Sequence, residues 1–349
     1  MLITILVILA LSLLILGHEL GHFLAAKLFK LRVDEFGFGF PPRIFARKKG
    51  ETEYSINWLP FGGFVRIAGE NDRIQGDLSK LDSLPPEEKK RLLLFQPAWR
   101  RSIIMLAGVA VNFLIGWLLI SIVFMVGIPR SLIVADVQDN SPAQAVGIES
   151  GDVIKSYIEA DKFINFVDEN KGQEIEVVVQ RGDEDIPFLV TPKANPGSDE
   201  GALGVLLVEG GFEGQGFFGS IFFGLKRTGQ LAVMIFEVFI SLIKHLVTTG
   251  SILEGIVGPV GIFGVAQQTG QLGIIYLVQL ISLISINLAV INIIPFPALD
   301  GGRFVMILIE KIKGSPVPLR VEAIINGVGF ALLIILMVAI TAKDVAGLF

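Results

Sequence analysis

The sequence predicts a polytopic α-helical membrane protein: four transmembrane helices, a membrane-associated β-hairpin and one small α+β domain outside the membrane. Three observations predict it. The 349 residues are 52% hydrophobic and 18% charged, with a mean hydropathy of +0.66, too apolar for an ordinary soluble chain. Four stretches, about 2–29, 102–127, 272–294 and 319–341, are long and apolar enough to span a bilayer. Between the second and third lies an acidic, strand-rich segment of a different composition. The chain divides into 1–127, an N-terminal membrane domain; 128–208, the outer domain; 209–271, a surface helix and connecting segment; and 272–349, a C-terminal membrane domain.

The first span is not a cleaved signal peptide by its pattern. No Lys or Arg precedes Lys27, so the positive n-region is missing, and the apolar run is longer than an h-region. Residues 27–101 hold fifteen Lys/Arg against ten Asp/Glu, whereas 128–216 hold six against seventeen; 303–320 adds Arg303, Lys311, Lys313 and Arg320. The positive-inside rule puts 27–101 and 303–320 in the cytoplasm and 128–216 outside, in a cytoplasmic (inner) membrane. Between the first two spans, Tyr54–Leu59 and Gly63–Ile67 alternate in polarity and are separated by Pro60 and glycines; with Phe36–Arg43 they read as a β-hairpin dipping into the interface. Residues 70–95 read as a polar linker, partly helical around Pro85–Leu94.

In the outer segment, Ile133–Val137 and Glu174–Val179 are strand-like. Ser141–Ile154 reads as a turn, a short helix, a glycine stop and a strand, and Gln180–Asp185 as a hairpin turn. The stretch 217–247 is ambiguous, because Lys226, Arg227, Glu237 and Lys244 interrupt it. If 128–216 is outside and 303–320 inside, an odd number of crossings separates them, and 272–294 already supplies one. The expectation is therefore an amphipathic helix on the outer surface; a true span with another topology is the alternative.

Two of the three histidines stand in His18-Glu19-Leu20-Gly21-His22, inside the first span. Positions i and i+4 share a helix face, so both imidazoles can grip one metal ion, and Glu19 can take a proton from a water that the ion activates. Ionisable residues at such a place are costly unless they serve a function. With no cysteine in the chain, thiolate ligands and disulfides are excluded. A catalytic zinc needs a third protein ligand. His245 falls on the outer helix, across the membrane. Asp34 and Glu35 read as solvated loop charges. Asp300 is the better candidate, because Pro295 and Pro297 break the helix just before it, and irregular backbone at membrane depth survives only where it lines a covered site. His18, about 25 Å along the first helix, lies near the inner edge of a roughly 30 Å core, the level that Asp300 reaches. Asn292 begins the broken segment and is expected to bind substrate; interhelical hydrogen bonding is as good a role for Asn287.

These pieces resemble the site-2 protease family of intramembrane zinc metalloproteases, in its RseP-like branch. The resemblance rests on HELGH at 18–22, on Gly108-Val-Ala-Val-Asn112 in the second span, and on Asn292–Gly301 as NxxPxPxLDG. Phe36–Phe45 resembles the family's membrane-associated β-loop, Gly258–Gly261 its GPxG-type segment, and Ser141–Ile154 the opening of a PDZ domain. One departure is that Val109 stands where many relatives have a proline. The resemblance implies Zn2+ held by His18, His22 and Asp300, Glu19 as general base, and substrate contacts at Asn292, Asn112, Pro295 and Pro297. It further implies single-pass membrane proteins as substrates, membrane lipid as surroundings, and a PDZ-like domain that binds a carboxyl terminus or acts as a size filter. Only one such module fits; some relatives carry two. Nucleic acid is not an expected partner. The rival class is a zinc-binding membrane transporter or a non-catalytic membrane chaperone. A transporter, however, needs polar groups at several depths, and a pseudoenzyme would lack Glu19.

Overall fold

The computed structural model describes residues 2–70, 84–182, 184–197, 201–251 and 255–346. Part of the expected 70–95 linker thus lies outside the described residues, as does Asp183 of the expected hairpin turn. The chain forms two compact units: Met1–Ile120 with Phe223–Gln267 and Leu277–Phe349, and Ser121–Phe222 with Gln268–Tyr276.

In the first unit, α1 (Leu2–Leu28) is apolar on nearly every face. Its 27 residues span about 40 Å, more than a bilayer core requires. It ends where Lys30 turns left-handed (φ 59°) and Leu31 N–H donates back to Ala26 O. The hairpin follows as β1 (Val33–Lys49) and β2 (Thr52–Ile67), joined at Gly50, whose positive φ makes the tight turn. It is longer and more bent than the sequence suggests: Glu35–Phe38 pair on one side with Gly63–Arg66 and on the other with Glu53–Ile56. Ser12 Oγ in α1 donates to Pro60 O, which pins the bend of β2 to the first helix. Phe40, Ile44, Phe45, Trp58 and Leu59 remain exposed on the hairpin.

After a short helix, α2 (Pro86–Lys89), comes α3 (Ala98–Val126), a continuous helix through Val109. Small residues let α3 approach its neighbours closely, as helix packing in lipid requires. Gly17 faces Ile115, and Gly21 lies against the backbone of Ala107 and Gly108. On its other side Gly116 lies against Ile286 of α8 (Ile274–Ile293), where Ser285 Oγ also donates to Asn112 O at 2.8 Å. Next, α9 (Asp300–Lys313) is amphipathic; its Glu310, 9% exposed, is paired with Arg101 at 2.6 Å. The last helix, α10 (Leu319–Ala346), carries Asp344, which accepts N–H groups from Gly258 (3.2 Å) and Gly261 (2.8 Å) at the start of α7 (Pro259–Gln271).

Ahead of α7, the ambiguous stretch is one uninterrupted helix, α6 (Phe217–Thr249). Among the described residues five helices, α1, α3, α6, α8 and α10, are therefore long and apolar enough to cross a membrane, which makes this a multi-pass membrane protein. Lys226, Glu237 and Lys244 are exposed and lie close to whole turns apart, so they form one polar stripe along α6.

The second unit is an antiparallel sheet in the order β6-β5-β4-β3-β7, formed by β3 (Gly127–Val137), β4 (Val153–Ile154), β5 (Ile175–Arg181), β6 (Glu184–Val190) and β7 (Val205–Glu213). Two short helices, α4 (Pro142–Val146) and α5 (Ala160–Glu169), cover its core of Leu132, Val134, Phe163, Val177, Val179 and Val190. The helical part of Ser141–Ile154 has the expected glycine stop, Gly147 at φ 90°, and at its start Ser141 Oγ accepts Gln144 N–H at 3.2 Å. Arg181 grips Asp152, 1% exposed, through two hydrogen bonds of 2.7 Å, and these hold the guanidinium pKa above its ordinary value. β7 pairs with β3 as far as Glu213, five residues beyond the expected domain end at 208.

Candidate metal centre

Two distant segments build the site. α1 brings His18 and His22 one turn apart on its buried face, with ring centroids 4.8 Å apart. The chain leaving α8 breaks at Ile294–Leu299, with Ala298 at φ 72°, and Asp300 then opens α9. Ala298 N–H donates to Asn326 Oδ1 of α10 at 3.2 Å, which fixes this turn. Pro297 packs against Gly329 of the same helix.

The result is a triangle of donor atoms. His18 Nε2 lies 2.9 Å from Asp300 Oδ2, His22 Nε2 lies 3.3 Å from it, and the two ring nitrogens are 3.1 Å apart. Asp300 Oδ2 is buried and satisfies no hydrogen-bond geometry in spite of these neighbours. Three ligand-type atoms converging in this way, one of them a buried carboxylate oxygen without a hydrogen-bond partner, suit a cation. Tetrahedral zinc with bonds of roughly 2.1 Å sets its ligand atoms about 3.4 Å apart, near the upper end of the observed separations. Among the described residues this is the single cluster of His, Asp and Glu able to hold an ion.

The remaining polar contacts order the triangle. His22 Nδ1 lies 2.7 Å from Ile104 O, and His18 Nδ1 lies 3.4 Å from Asn112 Nδ2. Gly108 leaves room for both rings: a Cβ there would stand 2.5 Å from His22 Nε2 and 2.8 Å from His18 Nε2. Glu19 Oε2 accepts the N–H of Val65, on the edge of β2, at 3.0 Å. A cavity of about 240 Å³ holds His18, Glu19, Asn112, Asn292 and Asp300. A second, of about 260 Å³, is lined by Glu19, His22, Phe64, Val65, Asp300 and Arg303, with Arg303 paired to Glu70.

Of the residues singled out from the sequence, His18, Glu19, His22, Asp300, Asn292 and Asn112 come together. Pro295 and Pro297 line neither of these two cavities. Asp34 is bound to Arg32 at 2.8 Å. Glu35 is not a solvated loop charge: it is 4% exposed, held by Arg43 and Ser55 inside the hairpin. His245 is bonded to Ser251 at 3.1 Å, outside the cluster. Val65 and Gly108 act through backbone and absent side chain, so in the sequence they stand only as parts of the Gly63–Ile67 run and the Gly108–Asn112 motif, with nothing to mark their contact with the site. Ala298 was equally invisible, its positive φ being set by the turn.

The model of Peptidase family M50 matches residues 6–336. The chain belongs to this family. Among M50 relatives, CPE1693 of Clostridium perfringens, named as a zinc metalloprotease, is 35% identical over 347 residues, covering 97% of each chain. Zinc metalloprotease RasP of Oceanobacillus iheyensis is 30% identical over 414 residues, covering 95% of this chain and 96% of that one. Regulator of sigma-W protease RasP of Bacillus subtilis is 28% identical over 412 residues, covering 96% of each. Both RasP alignments run over more positions than the 349 residues here, so those proteins carry stretches that this chain lacks. The M50 match bears out the site-2 protease resemblance and, with these relatives, the reading of a zinc metalloprotease.

Proposed function

We propose that this M50 peptidase hydrolyses peptide bonds in or beside the transmembrane segments of single-pass membrane proteins, with His18, His22 and Asp300 as zinc ligands and Glu19 as general base. The observation that carries the proposal is the convergence of Asp300 on a histidine pair almost 280 residues away, at 2.9 and 3.3 Å, with Glu19 on the same cavity. Zn2+ held by His18, His22 and Asp300 would supply Lewis acidity toward the scissile carbonyl and lower the pKa of a water. Glu19 takes the proton of the attacking water on its carboxylate and passes it to the leaving amine, while Val65 N–H keeps the carboxylate oriented. Asn292 donates from the cavity wall to the carbonyl oxygen as negative charge develops on it. The prolines act earlier, by ending α8 so that Asp300 can turn toward α1.

A transmembrane helix hides its carbonyls in its own hydrogen bonds, so the substrate has to unwind to be cut. The Gly63–Ile67 edge, with a strand partner on one side only and Phe64 and Val65 facing the second cavity, suits strand addition by the unwound segment. Cleavage of a purified single-span substrate in detergent or vesicles should stop on zinc chelation and return on adding Zn2+; unchanged cleavage under a chelator that strips the protein would refute the proposal. Anti-sigma factors and remnant signal peptides are the substrates that suit the family resemblance, and a relative named as a regulator of sigma-W protease favours the first. A transporter is disfavoured because the polar groups cluster at one depth.

We infer the membrane topology from charge, with the contacts of Asp344 in support. The fourth crossing, α10, starts at the cytoplasmic Arg320 side and ends at Asp344, which holds Gly258 and Gly261. The start of α7 then lies on the outer side, as does the acidic 128–216 segment that precedes α6. A helix that begins and ends on one side, with a polar stripe of Lys226, Glu237 and Lys244, lies on the surface. Cysteines placed at 216 and 250 should both react with an impermeant reagent from the outside; opposite sidedness would make α6 a fifth span.

The outer unit is PDZ-like in this reading, either gripping a carboxyl terminus freed by an earlier cut or keeping bulky outer domains away. Deletion of 131–205 separates the two: faster cleavage of an untrimmed substrate supports the filter, and lost cleavage of a trimmed one supports recruitment.

A further inference from the structure

We infer that Asn112 is a positioning residue whose amide oxygen accepts the Nδ1 proton of His18 and so commits His18 Nε2 to the metal. The inference rests on the zinc-ligand reading above. Asn112 is fully buried, four residues after Gly108 on the face of α3 that meets the histidines. Its Nδ2 lies 3.4 Å from His18 Nδ1, and its Oδ1 is buried without any hydrogen-bond partner. An amide NH2 in that place would need Nδ1 as the acceptor. The imidazole proton would then sit on Nε2, the atom that faces Asp300 Oδ2 at 2.9 Å and His22 Nε2 at 3.1 Å. That tautomer cannot ligate an ion through Nε2.

The two ends of an amide have nearly the same shape, and a half-turn exchanges them without moving a neighbour. In the turned amide, Oδ1 faces Nδ1–H, the orphaned oxygen gains a donor, and the Nε2 lone pair is free. His22 meets the same need differently. Its Nδ1 faces the Ile104 carbonyl at 2.7 Å, an atom that can only accept, so its proton already sits on Nδ1. Asn112 gives His18 the equivalent partner. The residue is fixed for this task, since its own carbonyl takes Ser285 Oγ of α8 at 2.8 Å. Fixed acceptors behind metal-bound histidines set the tautomer and the ring orientation, and losing one costs 10–100-fold in metal affinity.

The test is a zinc competition titration against a chelator on the full chain in detergent, with thermal unfolding of the zinc-free protein measured alongside. Asn112→Ala should bind zinc about 10–100-fold more weakly than the unaltered protein. Asn112→Asp, which can only accept, should stay within a few-fold of it. Wild-type affinity in Asn112→Ala would overturn the inference, as would Asn112→Asp losing zinc while its zinc-free unfolding temperature holds. A merely structural role would lower that temperature in Asn112→Ala and leave the affinity alone; should this variant not fold, Asn112→Asp decides by itself. His18→Ala serves as the reference: if it keeps zinc as tightly as the unaltered protein, the ligand assignment itself fails rather than the role of Asn112.

Discussion

Glu19→Gln should lower cleavage of a single-span substrate by about 10²–10⁴-fold, the usual weight of a positioned general base, with bound zinc unchanged. The geometry separates the two quantities. Glu19 stands outside the donor triangle of His18, His22 and Asp300. Its Oε2 takes the Val65 N–H at 3.0 Å, and a glutamine offers an oxygen to the same donor. Side-chain volume and the link to β2 are therefore kept, and only the capacity to carry the proton is lost. Turnover with purified substrate and the zinc-to-protein ratio measure both. Proteolysis retained in this variant would take Glu19 out of the mechanism; zinc lost from it would mean that the carboxylate holds the ion.

The parts of this molecule legible in its sequence are those written in side-chain spacing. The i, i+4 histidines, the long apolar runs and the prolines before Asp300 each state a local geometry, and α1, α3, α8 and the break at Ile294–Leu299 follow it. The capped helix at Pro142–Val146 is equally plain, because Ser141 and Gly147 mark its two ends. What escapes is long-range or carried by backbone. Glu35 reads as a loop charge until the bend of the hairpin brings Arg43 and Ser55 onto it. β7 is hidden by Gly210 and Gly211 in mid-strand, where Gly211 adopts φ 82° against the Pro129 backbone. In α6 the charges are obvious, yet the alignment of Lys226, Glu237 and Lys244 as one stripe emerges only once the helix is known to be continuous.

The glycine of the second span carries the other large effect. Gly108→Ala should empty the metal centre although residue 108 ligates nothing. The added Cβ would lie 2.5 Å from His22 Nε2 and 2.8 Å from both Nε2 and Cε1 of His18. Contacts that short do not occur between real atoms, so a ring or a helix has to move. His22 is held by Ile104 O at 2.7 Å, and α1 cannot shift easily because Gly21 already rests on the backbone of Ala107 and Gly108. The rings must therefore turn out of the triangle, and three ligands that no longer converge lose the ion. Helix propensity works the opposite way, since alanine favours a helix by about 1 kcal/mol over glycine, so a fold-level defect in α3 is not the expected cause. Zinc affinity should fall by at least about 100-fold and cleavage with it, while helix content by circular dichroism stays level. Gly229→Ala, in α6 with open space around its Cβ, is the matched control and should leave both unchanged. Normal zinc binding in Gly108→Ala would mean that the histidines do not pack against α3 in this way, and the donor triangle would have to be redrawn.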